Sequence, residues 1–228
     1  MFFTSFFRIK NISAQGTDKI PAEEFIDSAK EYISGSWWRI PKDNYFLISE
    51  ADATGYLQQR FPGLKSVKAD KKFPDGLEIG AKDREKAITY CGATKCFYAD
   101  EEGIIFEEAP EIYGGINLTI KDNSGREMKI GDKAIGPKFI TFAQKISRIM
   151  NKEANIGLVS FQINSYSTTD LTAVTSEDWQ ILFDINMDSA GQINALKKVL
   201  DEKIGDQRGR LEYIDLRIGN RVYYKFKN

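Results

Sequence analysis

Trp179-Gln180-Ile181-Leu182-Phe183-Asp184-Ile185-Asn186-Met187 alternates apolar and polar residues, and Leu211-Glu212-Tyr213-Ile214-Asp215-Leu216-Arg217-Ile218 continues such an alternation as far as Phe226. Between them, Ser189 to Ile204 repeats apolar residues at helical spacing, with Ile193, Leu196, Val199 and Leu200 on one face. A period of two fits a half-buried strand and a period of 3.6 fits an amphipathic helix, so this stretch reads strand, helix, strand. No further strand follows the last of these in the sequence. At a sheet edge its backbone is open to pairing with another chain. Parity leaves the buried face of that strand open: Tyr224 and Phe226 share it with Val222, which would turn Arg221, Tyr223 and Lys225 outward.

Upstream, Pro137 opens a helix with Phe139, Phe142, Ala143, Ile146, Ile149 and Met150 on one face, and Val159, Phe161 and Ile163 alternate as a strand. The N-terminal third has a different order. Ile9, Ile12 and Ala14 read as a strand ending at Gly16, and Pro21 opens a helix with Phe25, Ile26, Ala29 and Ile33 inward. Glu50 to Arg60 forms a second helix stopped by Pro62-Gly63. Val67 to Lys71 and Leu77 to Ala81 form a hairpin around Phe73-Pro74-Asp75-Gly76. The aromatic connection Trp37-Trp38 is expected to pack under the domain. Strand, helix, helix, strand, strand makes a small α+β domain of about 75 residues, near the lower end of independent stability.

The chain has 228 residues, 42% hydrophobic and 29% charged, enough for one large domain or two small ones. Its net charge of −1, from 32 basic and 33 acidic residues, gives no global attraction to nucleic acid. No histidine is present, which excludes Ser-His-Asp and Cys-His catalysis and histidine metal sites. The acidic group Asp100, Glu101, Glu102, Glu107 and Glu108 reads as a solvated turn and strand end rather than a metal or acid/base site. No Walker loop or dinucleotide fingerprint occurs, and no cofactor is expected. Met1 to Phe7 is apolar but far shorter than the roughly 20 residues a membrane span needs, so the chain by itself is expected to be soluble.

Cys91 and Cys96 bracket Gly92-Ala93-Thr94-Lys95. In a hairpin the two face each other within reach of a disulfide, which would imply an oxidising compartment; two free thiols are the alternative.

The order β-α-α-β-β, the Phe61-Pro62-Gly63-Leu64 helix exit and the Phe73-Pro74 turn resemble a POTRA domain. Asp83-Arg84 stands where a Glu-Arg pair commonly follows that domain. The hairpin Cys96 to Phe106, with Ala99-Asp100-Glu101-Glu102-Gly103-Ile104-Ile105-Phe106, resembles the Val-Asp-x-x-Gly-x-x-Phe hairpin of the bacterial division proteins FtsQ and DivIB. Tyr213-Ile214-Asp215-Leu216-Arg217 is similar to the last-strand pattern of the same family, and the resemblance covers nearly the whole chain.

The resemblance implies an α+β protein with a POTRA domain over residues 5–82 and a curved, mainly antiparallel β-sheet domain with flanking helices over 83–228, hinged near Asp83 to Lys86. It implies a non-enzymatic divisome scaffold at the septum, on the extracytoplasmic side of the cell membrane, held by a single membrane helix upstream of this chain. Its expected partners are FtsB-like and FtsL-like proteins captured by strand addition, with a septal wall synthase at the POTRA domain. The expected contact residues are Arg217, meeting a partner carboxylate, with Ile218, Arg221, Tyr223, Lys225 and Trp179. Glu177-Asp178 before Trp179 and Ile218 after Arg217 depart from the family pattern, which often has basic and aromatic residues there. The rival classes are a POTRA module of an outer-membrane translocation system, which would repeat the unit before a long barrel, and a carboxylate-based cell-wall enzyme, which would show a paired acid/base motif.

Overall fold

Pro21, with φ near −61°, starts the first helix, α1 (Ala22–Ile33), and Ser49 caps the second, α2 (Glu50–Arg60), by accepting a hydrogen bond from the Asp52 amide. The computed structural model describes residues 6–37, 40–110, 118–164, 169–219 and 221–227. The side chains of Trp37 and Trp38 lie outside the described residues, so their expected packing is not seen. Two units separate between Arg84 and Glu85.

In the first unit β1 (Asn11–Gln15) precedes α1, and a two-residue ribbon, β2 (Ser36–Trp37) and β3 (Ile40–Pro41), links α1 to α2. β4 (Leu64–Lys72) and β5 (Gly76–Asp83) follow as a hairpin. The sheet order is β1-β5-β4, with β1 parallel to β5. Phe25, Ala29 and Ile33 of α1 and Ala53 and Leu57 of α2 bury against Val67, Ala69, Leu77 and Ile79.

The second unit holds one nine-stranded sheet, in the order β14-β13-β12-β11-β10-β9-β6-β7-β8. Its strands are β6 (Ile88–Cys91), β7 (Cys96–Ala99), β8 (Ile105–Ala109), β9 (Thr119–Asp122), β10 (Leu158–Ile163), β11 (Asp170–Thr175), β12 (Gln180–Asp184), β13 (Leu211–Ile218) and β14 (Arg221–Phe226). Most neighbours are antiparallel, but β6–β9, β9–β10 and β12–β13 are parallel. Parallel neighbours need a crossover: α3 (Pro137–Ile149) lies between β9 and β10, α4 (Ser189–Val199) between β12 and β13, and β7 and β8 between β6 and β9. Phe142, Ala143 and Ile146 of α3 and Ile193 and Leu196 of α4 bury with Ile120, Phe161, Leu171, Ile181, Phe183 and Ile214. The fold is α+β, a POTRA-like unit and a mainly antiparallel sheet with flanking helices.

Three local readings change. Trp179 to Met187 is not one strand, because β12 stops at Asp184; a turn follows, with Met187 N–H on the Asp184 carbonyl, and Asp188 caps α4 through the Gly191 amide. Leu211 to Phe226 is two strands, reversed through Gly219 with φ near +41°. Asp100 is not a solvated turn residue. It is buried, and its Oδ1 accepts from the Glu102 and Ile104 amides at 3.0 Å. Gly103, with φ +82°, lies so close to the Ile135 carbonyl that a Cβ there would sit 1.8 Å from its oxygen. The Asp-x-x-Gly pattern is therefore a turn requirement.

Two polar arrangements hold these sheets. Along the outer edge of β4, the amides of Val67, Ala69 and Lys71 donate to Gln58 Oε1 (3.0 Å), Thr54 Oγ1 (3.0 Å) and Glu50 Oε1 (2.7 Å) of α2, while Gln58 Nε2 donates to the Leu64 carbonyl (3.2 Å). In the large sheet, buried Asp122 accepts from Tyr90 Oη at 2.5 Å, from Arg126 Nη2 at 2.9 Å and from the Ser124 amide at 2.8 Å. Arg126 also reaches the Ala134 carbonyl at 2.8 Å, tying the segment before α3 to β6 and β9. Burial works to raise the Asp122 carboxyl, but the hydrogen bonds from Ser124, Tyr90 and Arg126 outweigh it and hold the group below its usual range.

Gln58→Ala removes one acceptor and one donor from half-buried backbone groups, and urea unfolding should show a loss of about 1–3 kcal/mol. Because the folded Asp122 pKa is depressed, its stabilisation is in force above the unfolded value near 3.9 and is lost as pH falls through the folded one. Urea midpoints compared at neutral pH and below about pH 4 should fall more steeply for the wild type than for Asp122→Asn.

Candidate functional site

The large sheet ends at β14, and among the described residues no strand pairs with its outer side. Its phase follows from one bond: the Lys227 amide donates to the Arg210 carbonyl at 2.7 Å, so Lys227 turns its backbone groups toward the β13 side. The two-residue period along β14 gives Lys225, Tyr223 and Arg221 the same direction. The N–H and C=O groups of Val222, Tyr224 and Phe226 therefore point away from β13, along the open edge.

The side chains sort by the same register. Ile214 faces Tyr224 and Leu211 faces Phe226, and both partners in β13 are core residues. Val222, Tyr224 and Phe226 thus stand on the helix-bearing face, where Val222 and Phe226 pack against the core and the Tyr224 and Phe226 rings lie 5.6 Å apart. Tyr224 remains 40% exposed because no strand covers its far side. Arg221, Tyr223 and Lys225 lie on the opposite face; Tyr223 is exposed, and Lys225 pairs with Glu212 at 2.7 Å. Ile218 is exposed at the end of β13.

Two sequence-chosen residues occupy other roles. Trp179 is fully buried, so it presents no surface to a partner. Its indole N–H donates to Glu177 at 3.3 Å, and Glu177 is ion-paired with Arg208, whose guanidinium lies 5.7 Å from the Trp179 ring. Alternation placed Trp179 on a strand face, but that face is the core.

Arg217 sits in β13, an interior strand between β12 and β14 rather than the edge itself. Its Nε and Nη2 donate to Asp215 at 2.9 and 2.7 Å, and its Nη1 pairs with Asp170 of β11. The hydrogen bond to Asp215 raises the guanidinium pKa further, and the same bond holds the Asp215 carboxyl below its usual range against the effect of burial. The carboxylates expected from a partner are supplied within the chain. Arg217 joins β13 to β11 across β12, behind the open edge.

Two other described edges are treated differently. The outer amides of β4 are taken by α2, and at the opposite end of the large sheet Ile105 of β8 exchanges both backbone bonds with the Gly131 amide and the Asp132 carbonyl. The β6–β7 hairpin is closed by a Cys91–Cys96 disulfide between directly paired residues. Among the described residues no three carboxylates or cysteines cluster to hold a metal, and no helix is long and apolar enough to cross a membrane. The contributors that sequence reasoning missed are the backbones of Val222, Tyr224 and Phe226. Their signal was present in Gly219-Asn220, a two-residue hairpin dipeptide between alternating runs.

No family model matches the chain. A curated relative, the cell division protein DivIB of Clostridium botulinum (strain Loch Maree / Type A3), is 29% identical over 127 residues, which cover 55% of this chain. The match spans 46% of that relative, so this chain corresponds to about half its length. The chain is thus similar over about half its length to a DivIB cell division protein, and its first unit is POTRA-like.

Proposed function

We propose that this chain acts in bacterial cell division as a non-enzymatic scaffold whose β14 edge captures an extended segment of an FtsB-like partner, with an FtsL-like protein in the same assembly. The observation that carries the reading is the open backbone of Val222, Tyr224 and Phe226, continuous with a packed nine-stranded sheet. An added strand would exchange up to about two hydrogen bonds with each of these residues, the affinity coming chiefly from main-chain groups. Specificity would come from the two faces. Val222, Tyr224 and Phe226 favour apolar partner residues beside the core, whereas Arg221, Tyr223 and Lys225 favour polar or acidic ones on the other side.

Such a scaffold belongs on the extracytoplasmic side of the membrane at the septum, linking its partners to septal peptidoglycan synthesis, with the POTRA-like unit meeting the wall synthase. The disulfide supports this side, because disulfides persist in oxidising compartments. The translocation reading draws no support from the first unit, where strand addition on β4 would have to displace Glu50, Thr54 and Gln58.

The phase of β14 makes the test sharp. Tyr224→Pro removes an amide directed at the partner and leaves the β13–β14 ladder intact, so binding to an FtsB-like peptide should weaken at least about tenfold, or 1.4 kcal/mol. Tyr224→Ala should cost less. Tyr223→Pro breaks the internal ladder and should lower thermal stability instead. Normal binding by a folded Tyr224→Pro protein, measured by calorimetry with circular dichroism as the folding check, would sink the mechanism. Arg217→Glu places a third carboxylate against Asp170 and Asp215, and its main effect should be a lower unfolding midpoint.

A further inference from the structure

Four of the large apolar side chains most exposed in the first unit gather in one place: Phe73 (71%), Phe46 (65%), Phe6 (60%) and Leu47 (57%). They come from three separate segments: the approach to β1, the loop before α2, and the β4–β5 turn. Their rings rest on one another. Phe7 lies 5.2 Å from Phe6, 5.0 Å from Phe46 and 6.1 Å from Phe73, and Tyr45 lies 5.5 Å from Phe46 and 5.8 Å from Phe73. The cluster is built on loop segments at and around the ends of β1, β4 and β5.

The exposure does not come from a loose chain. The Tyr45 amide donates to the Phe7 carbonyl and the Ile9 amide to the Asp43 carbonyl, both at 2.7 Å, and the Lys10 amide donates to the Asp75 carbonyl at 2.9 Å. Arg8 grips Asp43 through Nε and Nη2 at 2.9 and 2.7 Å. Lys71 Nζ donates to the Tyr45 and Ile48 carbonyls and sits 4.9 Å from the centre of the Tyr45 ring. A rigid framework thus holds apolar rings in water, a costly arrangement in the absence of something to cover them.

Charge selects the occupant. The acidic groups in these segments have partners within the chain: Asp43 meets Arg8, Asp75 accepts from Asn11 Nδ2, and Asp70 meets Lys68. Lys10 and Lys42 are exposed on the same segments. An exposed aromatic and aliphatic cluster flanked by lysines has the composition of a membrane-interface anchor, with rings at the headgroup level and ammonium groups on anionic phosphates. A second copy of the chain fits less well, since a two-fold contact would bring the same lysines opposite each other.

We propose that the cluster of Phe6, Phe7, Tyr45, Phe46, Leu47 and Phe73 is a peripheral bilayer-contact surface that seats the first unit on anionic phospholipid. It uses residues separate from the β14 edge and does not depend on strand addition there. The test is sedimentation of the 228-residue chain with sucrose-loaded vesicles of phosphatidylcholine alone and of phosphatidylcholine mixed with phosphatidylglycerol, whose anionic headgroups create the negative surface potential that attracts basic residues. The expected result is binding to the anionic vesicles that weakens with added salt. It should fall at least about tenfold in the double variant Phe46→Ser/Leu47→Ser, the effect of losing 1.4 kcal/mol of apolar insertion, and also in Lys10→Glu/Lys42→Glu. Both variants alter exposed side chains, and their circular dichroism should match the wild type. Absence of binding to either vesicle overturns the proposal, as does anionic binding unchanged in Phe46→Ser/Leu47→Ser. Self-association in analytical ultracentrifugation that this variant abolishes, with no vesicle binding, overturns it in favour of a second copy.

Discussion

A strand exposes a row of backbone donors and acceptors on each side, and every row must find partners in the protein, in water or in another molecule. The two sheets meet this demand in contrasting ways. In the first unit the outer row of β4 is satisfied by side chains from α2, with three amides on three acceptors spaced one helical turn apart. In the second unit the row on β8 is met at Ile105 by the segment before α3, whereas among the described residues no strand takes up the row on β14. The same chemistry that makes an edge hazardous makes it useful for capture, and this chain leaves it open at the end of its largest core.

The depth of that core depends on connectivity. Because β9–β10 and β12–β13 are parallel, the chain crosses the sheet through α3 and α4, and these helices bury Phe142, Ala143, Ile146, Ile193 and Leu196 on one face. β14 therefore continues a sheet backed by helices, and Val222 and Phe226 extend the apolar surface to its rim. Arg217 reinforces the rim from the opposite face by joining Asp215 and Asp170. An incoming strand would meet donors already fixed in place, so the ordering entropy would fall mainly on the partner.

Helical periodicity was the most legible signal. Pro21 marks the start of α1, Pro62-Gly63 the end of α2, and the spacing of Phe25, Ala29 and Ile33 the buried face of α1. The β4–β5 hairpin follows from its alternation and turn residues. Short strands were less legible: β9 has four residues, Thr119-Ile120-Lys121-Asp122, and β11 alternates around the small Ala173, so neither stands out from a loop. Sites were harder still. Alternation says that Trp179 and Arg217 lie on strand faces, but what covers a face and which strand lies outermost depend on long-range pairing. Asp122 and Tyr90 are 32 residues apart in sequence, and their meeting follows from the parallel placement of β6 beside β9.

The guarding of β4 by α2 rests on a near match of two repeats. Four residues of helix advance about 6.0 Å and two residues of strand about 6.6 Å, so Gln58, Thr54 and Glu50 keep pace with Val67, Ala69 and Lys71 over three steps. The match tolerates substitution among side chains that accept a hydrogen bond. It is intolerant of length change, because inserting or deleting one residue within α2 turns the following acceptors by roughly 100° away from the strand. Across the descent of this unit, α2 should therefore drift in composition while keeping its residue count between Glu50 and Gln58, a constraint imposed by geometry without any contact to a ligand.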